Sequence, residues 1–588
     1  MSNKDISNED MSNEDTSNKD TMSNEDMTNK DLSNEDMFNK DMSNEDLHNE
    51  DPVLRYIGNF GKWQARTIGI IPFITLFAAW QLLVKNFLLP SNVPFWCLPS
   101  DFPFVPETAT WTSPPELDPN TGNPKLDANN KTIRNSCLMY QLDYKDLITK
   151  PNTTGLPTTT CTHWEYDRTQ YPETLISQFD LVCDREYLRS LSTSIFFIGT
   201  GVGAVVSGII SDKYGRKLTL LLSSVGMLLF GIASAFSPYI ELLIFLRGCV
   251  ALCTISAYSS GYLYCMEIVG GKWHTLLGIG YQVPFSLGYM ALAGLAWLLP
   301  NWNHLLLAIS APIILFIIPV AIPALVPESP RWMLFNGKSE QALKLLKSAA
   351  KLNGRTVVED PEEIFTPPTT EDQPSASFLD LFRSRRLLSR TLVMYFLWFT
   401  TNLVYYGLCL NTDSLIPGSL HVNVAIDGAL EMPAAILSCF CLLKLGRRWS
   451  LCGSMVLGGS ALLLTAAVPT DTAKDVFAHI GKLFITCSKV MIYVYAVEIF
   501  PTVVRGVGLG SSSMFGRVGG VLTPLFGHEL VAVSKIAPAI IFGLLSVLAG
   551  LLTLLLPETN NKVLPDTIEE GEHFGEDQDR SRMCPCNL

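Results

Sequence analysis

Residues 194–208 read SIFFIGTGVGAVVSG, and no charged side chain occurs from position 190 to position 211. A helix rises 1.5 Å per residue and must cross roughly 30 Å of hydrocarbon, so an uncharged run of this length reads as a membrane span. Working outward from it, the same test places twelve spans, at 66–90, 189–210, 218–236, 240–263, 275–298, 304–325, 390–412, 422–443, 450–468, 476–498, 505–527 and 535–556. The span at 476–498 fits least well because it contains two lysines. The chain of 588 residues is 48% hydrophobic and only 17% charged. A soluble chain of this length would divide into several domains and carry more charge. The fold class expected is an all-α membrane protein.

The net charge of −13 belongs to one end. Residues 1–51 hold 16 acids and 4 lysines, in about ten copies of a five-residue unit, x-Ser-Asn-Glu/Lys-Asp. Too little of this segment is apolar to fold, so residues 1–52 are read as a disordered acidic tail. It is either a docking tether or a solvated repeat without a specific role. The remaining 537 residues hold 40 acids and 39 bases, so the acidity says nothing about a substrate. The N-terminus does not read as a signal peptide, and the last four residues are not a prenylation box.

Loop charge gives the orientation. Lys213, Arg216 and Lys217 follow span two, Lys444, Arg447 and Arg448 follow span eight, and Arg383, Arg385 and Arg386 precede span seven. All lie on one side, read as the cytoplasm, and an even span count puts both termini there. The opposite side carries one large loop, 91–188, with Cys97, Cys137, Cys161 and Cys183 and glycosylation sequons at Asn130 and Asn152. An even cysteine count beside sequons fits an oxidising exterior. Four cysteines allow three pairings, and spacing does not choose among them.

The chain is also duplicated. Tyr262-x-Tyr264-x-x-Glu267-Ile268 returns as Tyr493-x-Tyr495-x-x-Glu498-Ile499, and Gly215-Arg216-Lys217 returns as Gly446-Arg447-Arg448, both at an offset of 231. Pro327-Glu328 returns as Pro557-Glu558 at an offset of 230. Two six-helix halves with a solute path between them suit rocking alternating access. The domains expected are an N-terminal bundle at 53–335 that includes the outer loop, a cytoplasmic linker at 336–389, a C-terminal bundle at 390–558 and a cytoplasmic tail at 559–588.

These motifs resemble the major facilitator superfamily, whose signature between helices two and three is matched by Gly208-x-x-x-Asp212-Lys213-x-Gly215-Arg216-Lys217. Pro327-Glu328-Ser329-Pro330-Arg331-Trp332 and Pro557-Glu558-Thr559 are similar to the sugar-porter-like branch. Phe179-Asp180-Leu181-Val182-Cys183-Asp184, the cysteine-bearing outer loop and Asp380-Leu381-Phe382-Arg383 resemble the organic cation, anion and carnitine transporter family of solute carriers. The resemblance covers residues 53–560. It implies the twelve-helix, two-bundle fold and a plasma-membrane carrier of small organic ions.

The resemblance also implies a cytoplasmic gate. Asp212, Arg216, Glu267, Glu328, Arg447, Glu498, Arg505 and Glu558 sit at helix ends, and ion pairs between the halves are expected to hold the outward-open state. The plainer reading is that the bases only set topology, but topology does not need the acids.

Arg517 lies in the middle of span eleven, where an arginine costs roughly 2.5–3.5 kcal/mol to insert unless it faces a cavity or a partner. Its repeat equivalent is Ser286, so the fold itself does not demand the charge. Guanidinium binds carboxylate in bidentate fashion, and the anion and carnitine carriers of the family have arginine here. A substrate with an anionic group is expected; the alternative is a structural ion pair with Glu431. Lys489 in span ten either adds positive field or neutralises Glu431. The anion carriers usually have a lysine where this chain has Ala435, which moves the expectation from a dianion toward a monoanion or a zwitterion. Trp398, Asn402, Tyr405 and Tyr406 in span seven, Tyr281 and Phe285 in span five and Tyr493 in span ten are candidate aromatic and polar walls for an organic body or cationic head. Each aromatic has packing as its alternative role. Asn86 matches a family asparagine and serves either substrate or a neighbouring helix.

No P-loop, metal-ligand spacing or basic aromatic surface is present, so no enzyme activity, cofactor, metal or nucleic acid is expected. The partners expected are a small organic ion, a coupling ion or counter-substrate that the sequence leaves unnamed, and the bilayer. The function expected is secondary transport of an organic anion or carboxylate-bearing zwitterion, such as carnitine or an amino acid derivative. The alternatives are an organic cation uniporter of the same family and a non-transporting sensor.

Overall fold

The computed structural model describes residues 52–90, 93–97, 113–116, 132, 135–140, 157–168, 172–355, 378–412, 419–524, 526, 534, 536–560, 562, 565 and 568–574. Asn130, Asn152 and the acidic repeat lie outside these residues.

Twelve helices stand where the apolar runs predict them. They are α1 Lys62–Leu88, α2 Cys183–Tyr214, α3 Arg216–Ala235, α4 Ile240–Glu267, α5 Leu276–Leu298, α6 Trp302–Ala321, α7 Arg385–Leu410, α8 Leu420–Leu445, α9 Arg447–Ala467 and α10 Asp471–Ile499, then α11 Arg505–Pro524 and α12 Ala537–Thr553. Among the described residues, α1–α10 are long and apolar enough to cross a membrane. α12 is shorter, with 17 residues. α11 is less apolar because it is rich in glycine and serine and carries Arg517. α10 is 29 residues long and carries three lysines, Lys474 near its start and Lys482 and Lys489 within the apolar span.

The repeat seen in the sequence becomes one local clasp made twice. Gly215 turns the chain from α2 into α3 with φ +113°, and Gly446 turns α8 into α9 with φ +84°. Both angles lie in the left-handed region that a Cβ disfavours. Glu328 then caps α3, accepting from the backbone N–H of Arg216 at 2.8 Å and of Lys217 at 3.0 Å. Glu558 caps α9 in the same way, from Arg447 at 2.8 Å and Arg448 at 3.1 Å. A carboxylate at a helix N-terminus satisfies orphan donors and the helix dipole together. Arg216 pairs with Glu267 and Arg447 with Glu498, each at 2.9 Å. Tyr264 and Tyr495 each donate to a proline carbonyl, Pro327 at 2.7 Å and Pro557 at 2.6 Å.

In this structure the charges expected at the cytoplasmic gate pair within each half. Arg216–Glu267 and Arg447–Glu498 each join helices of one half, not the two halves. Asp212 also pairs with Arg216 in its own half, at 2.6 Å, and Arg505 donates to the nearby Phe500 carbonyl at 3.4 Å. A motif copied into both halves brings its partner with it, so the pairing is internal to each copy.

Within the N-terminal half α4 packs on α2 and α3; within the C-terminal half α9 packs on α10 and α12, and α7 on α11. The halves meet through α5 against α8 and α2 against α11. These contacts fall toward the face that carries the 91–188 loop. Added Cβ atoms at Gly428 and Gly520 would lie 2.8 Å from Met290 N and 2.7 Å from the Phe197 ring. Asn86 donates to the Cys409 carbonyl at 2.6 Å, Lys85 to the Leu410 carbonyl at 2.6 Å and Ser194 to the Val521 carbonyl at 3.0 Å.

In the loop, β1 Phe95–Cys97 pairs antiparallel with β4 Trp164–Tyr166, and β2 Leu138–Tyr140 with β3 Thr158–Thr160. Disulfides Cys97–Cys161 and Cys137–Cys183 close it. Tyr166 donates to Asp180 at 2.9 Å, and burial, with the Asp180 charge beside it, pushes its phenol upward. The segment read as a linker opens with an amphipathic helix, Ser339–Leu352, that docks on the first half. Asn353 at its end accepts from Trp63 N at 2.9 Å and donates to the Ile57 carbonyl at 2.9 Å.

Candidate functional site

Helix α7 supplies the centre of the site. Trp398, Asn402 and Tyr405 follow one another at helical spacing, so they share a face. That face is buried: Trp398 is 1% exposed, Asn402 7%, Tyr405 0% and Tyr406 7%. α11 can lie against it because its facing residues are glycines. A Cβ at Gly516 would sit 2.6 Å from the Asn402 amide, and one at Gly519 would press on the Phe399 carbonyl. Asn402 itself is tied to α7 by donation to the Trp398 carbonyl at 2.9 Å.

Arg517 follows directly on Gly516 and is partly exposed. It makes no hydrogen bond or ion pair to any described residue; Tyr258, Tyr406 and Tyr493 lie within range of its charge. Glu431, the alternative partner, is committed elsewhere. It accepts from the Tyr405 hydroxyl at 2.8 Å and pairs with Lys482 at 3.5 Å. Neither Arg517 nor Lys489 forms an ion pair with this acid among the described residues.

Lys489 instead lies over the aromatic pair, 3.4 Å from the Tyr405 ring centre and 4.9 Å from that of Tyr406. Tyr493, one turn further on α10, meets Trp398 edge-on at 4.4 Å and is 45% exposed. Phe197 of α2 reaches across to Tyr406 at 4.7 Å. Arg517, Lys489, Tyr493 and the two tyrosines are therefore brought together.

Other candidates lie apart from this group. Tyr281 is 1% exposed, donates to the Tyr258 carbonyl at 3.0 Å and packs edge-on against Tyr258 and Tyr262. Phe285 is buried in the core of the halves. Asn86 is buried and used between α1 and α7.

Sequence reading missed Tyr258, whose only mark is being four residues before the repeated Tyr262. It also missed Lys482, 1% exposed and 3.9 Å from the Tyr405 ring centre. The spacing signal existed: Lys482, Lys489 and Tyr493 fall on one face of α10. Arg247, a buried arginine of α4, is satisfied by Gln81, which accepts at 2.6 Å through its side chain.

A site of this kind does no covalent chemistry. It offers one unpaired guanidinium, one ammonium and aromatic faces at the junction of two rigid halves. Comparison with known proteins places the chain in a family. The sugar (and other) transporter family matches residues 154–569. An organic cation transporter protein of Drosophila melanogaster is 37% identical over 542 residues, 89% of this chain and 95% of the relative.

The chain belongs to the organic cation, anion and carnitine branch of the major facilitator superfamily.

The human organic cation/carnitine transporter 2 is 35% identical over 69% of this chain and 73% of its own length. Among solved structures, the inward-open xylose transporter XylE of E. coli superposes with a TM-score of 0.53 at 18% identity, covering 68% of this chain and 93% of that one. The twelve-helix facilitator fold is thereby shown. This member of the branch is a multi-pass membrane transporter of small organic solutes, not an enzyme.

Proposed function

We propose that this transporter carries an organic anion or a carboxylate-bearing zwitterion by alternating access, with Arg517 receiving the anionic group. The observation that carries this reading is that Arg517 is unpaired among the described residues: Glu431, the acid weighed as its partner, is already bound by Lys482 and Tyr405. Holding a guanidinium in the membrane without a partner is costly, and a substrate carboxylate repays it only while bound. Tyr405, Tyr406, Trp398 and Tyr493 take the organic body, and Lys489 adds positive field. Halves that meet on the loop side leave the opposite side to open, which is an inward-facing state. The clasps at Glu328 and Glu558 keep each half rigid as it rocks. The protein resides in the plasma membrane with its termini in the cytoplasm and with Asn130 and Asn152 outside.

A second reading, an organic cation uniporter, is favoured by the name of the Drosophila relative. Uptake into proteoliposomes separates the two. Radiolabelled carnitine and p-aminohippurate serve as the carboxylate probes and tetraethylammonium as the cation. Arg517→Asp is expected to lower carboxylate uptake by roughly 100-fold, the equivalent of about two charge-assisted hydrogen bonds. Carboxylate uptake that survives this exchange, or tetraethylammonium as the only probe carried by the native protein, would sink the first reading.

A further inference from the structure

The acidic repeat is a sequence feature that the transport site leaves unused, and the residues that follow it have a defined place. Residues 1–51 carry 16 acids against 4 lysines, and Glu-Asp pairs recur through them, the last being Glu50-Asp51. The next residues, Pro52–Ile57, form a short helix that packs on the amphipathic helix Ser339–Leu352. Val53 and Ile57 are buried in one cluster with Leu346, Ala349 and Ala350. Asn353 fastens the junction through its bond to the Ile57 carbonyl. Arg355 lies over Gly58, where a Cβ would sit 2.6 Å from its guanidinium. A fixed anchor therefore delivers the acidic repeat to this helix.

The helix has two unlike faces. Ala342, Leu346, Ala349 and Ala350 are buried. Lys344, Lys347 and Lys351 stand three and four residues apart, so they share the opposite face, and all three are exposed. Arg355, just beyond the helix, is exposed as well. From Ser339 to Arg355 the one acid is Glu340, in the first turn. Among the described residues none of the four cations has a carboxylate partner. Bare like charges in a row repel one another, and a segment of opposite charge is tethered at their edge. The helix has 14 residues and is about 21 Å long. A stretched chain covers about 3.3 Å per residue, so two repeat units can run its length. A short tether holds the acids there at an effective concentration on the order of millimolar. The segment 356–377 is also acidic, with six acids and no base, but it brings half the net charge of the repeat.

We propose that the acidic repeat docks, within its own chain, on the Lys344, Lys347 and Lys351 face of the helix, with Arg355 beside the anchor. The contact is a set of exposed ion pairs, each weak and sensitive to salt, which gain from being made together by one tethered segment. It neutralises the outer face of the helix that opens the connection between the two halves. It also keeps that face from other anionic partners, the membrane surface among them. The inference goes beyond the substrate reading and does not depend on it.

Lysine acetylation rates test the contact in the full chain. The protein is held in phosphatidylcholine nanodiscs without solute and treated with an acetyl N-hydroxysuccinimide ester, and peptide mass spectrometry gives the rate at each lysine. Two variants are compared with it: one lacks residues 2–51, and the other keeps them with every Asp and Glu of the repeat changed to Asn and Gln. Neither alters residues 52–588. At low salt Lys344, Lys347 and Lys351 are expected to react about three- to tenfold more slowly in the native protein than in either variant. At about 1 M salt, where the Debye length is about 3 Å, the difference is expected to vanish. Lys474, near the loop-side start of α10, is expected to react alike in all three. Equal rates at low salt in the native and shortened chains overturn the proposal. So does protection that survives removal of the repeat and is relieved by neutralising the acids of 356–377, or protection that appears only when phosphatidylserine is added. Because no solute is present, these rates stand apart from the Arg517 experiment: failed carboxylate uptake beside intact protection removes the substrate reading alone.

Discussion

Replacing Glu558 by glutamine removes one charge from the clasp of the second half while keeping its shape. In the native protein Oε1 accepts from the backbone N–H of Arg447 at 2.8 Å and of Thr559 and Asn560, each at 3.1 Å, and Oε2 accepts from Arg448 at 3.1 Å. Hydrogen bonds to a charged acceptor are worth about 1.5–3 kcal/mol, against about 0.5–1.5 for a neutral one. The three bonds to the retained oxygen each lose about 1 kcal/mol on this scale. The fourth is replaced by two opposed N–H groups and loses about 2 kcal/mol. The sum is an upper bound, because the site is only partly buried and water takes over part of each bond. A net loss of roughly 2–3 kcal/mol remains. Thermal unfolding of the purified protein in detergent should then shift down by on the order of 5–10 °C. Asp212→Asn is the control. Its side chain is 74% exposed at its contact with Arg216, so less than about 1 kcal/mol is at stake. If Glu558→Gln melts with the native protein, or no lower than Asp212→Asn, the clasp is not what holds α9 to the end of α12.

Two further outcomes are expected beyond the Arg517 experiment. A Cβ at Gly428 would sit 2.8 Å from Met290 N only when α5 and α8 are closed on the loop side, so Gly428→Ala should disfavour that state by about 1–3 kcal/mol; the distance between spin labels at the exposed Tyr187 and Ile536, read by pulsed electron resonance, should show an open-to-closed ratio raised roughly 5–150-fold, and an unchanged ratio would contradict the packing described. Paired serine exchange of Cys97 and Cys161, or of Cys137 and Cys183, should each cost about 2–5 kcal/mol and lower the amount of folded protein at the cell surface, whereas the mismatched pair Cys97 with Cys137 should expose two free thiols to a maleimide label.

The helices were legible because their signal is local. An uncharged run must find a hydrocarbon environment wherever it ends up, so all twelve spans could be placed from composition along the chain, and even α10 with its lysines kept its helical reading. The repeat was legible for a related reason: Gly215 and Gly446, Glu328 and Glu558, and Tyr264 and Tyr495 recur at offsets of 230 or 231, which only duplicated structure explains. The unusual position of Arg517 could also be read, since a charge in mid-span has no bland local cause.

Partners were a different matter. Lys482 and Lys489 lie two turns apart on one face of α10, so the sequence cannot say which of them meets Glu431; that depends on how far α8 and α10 slide past each other, and the structure gives the pair to Lys482. The same applies to the repeated charges, which pair inside each half, and to Asp427, whose contact with Tyr289 exists only because α5 and α8 cross at Gly428. The disulfide pairing likewise had three equal possibilities until the strands of the outer loop brought Cys97 to Cys161. What the sequence determined was the set of helices, their duplication and the presence of an uncompensated charge; what the tertiary structure decided was which charges are compensated, because ion pairs and hydrogen bonds depend on separations of a few ångströms between helices that are far apart in the chain.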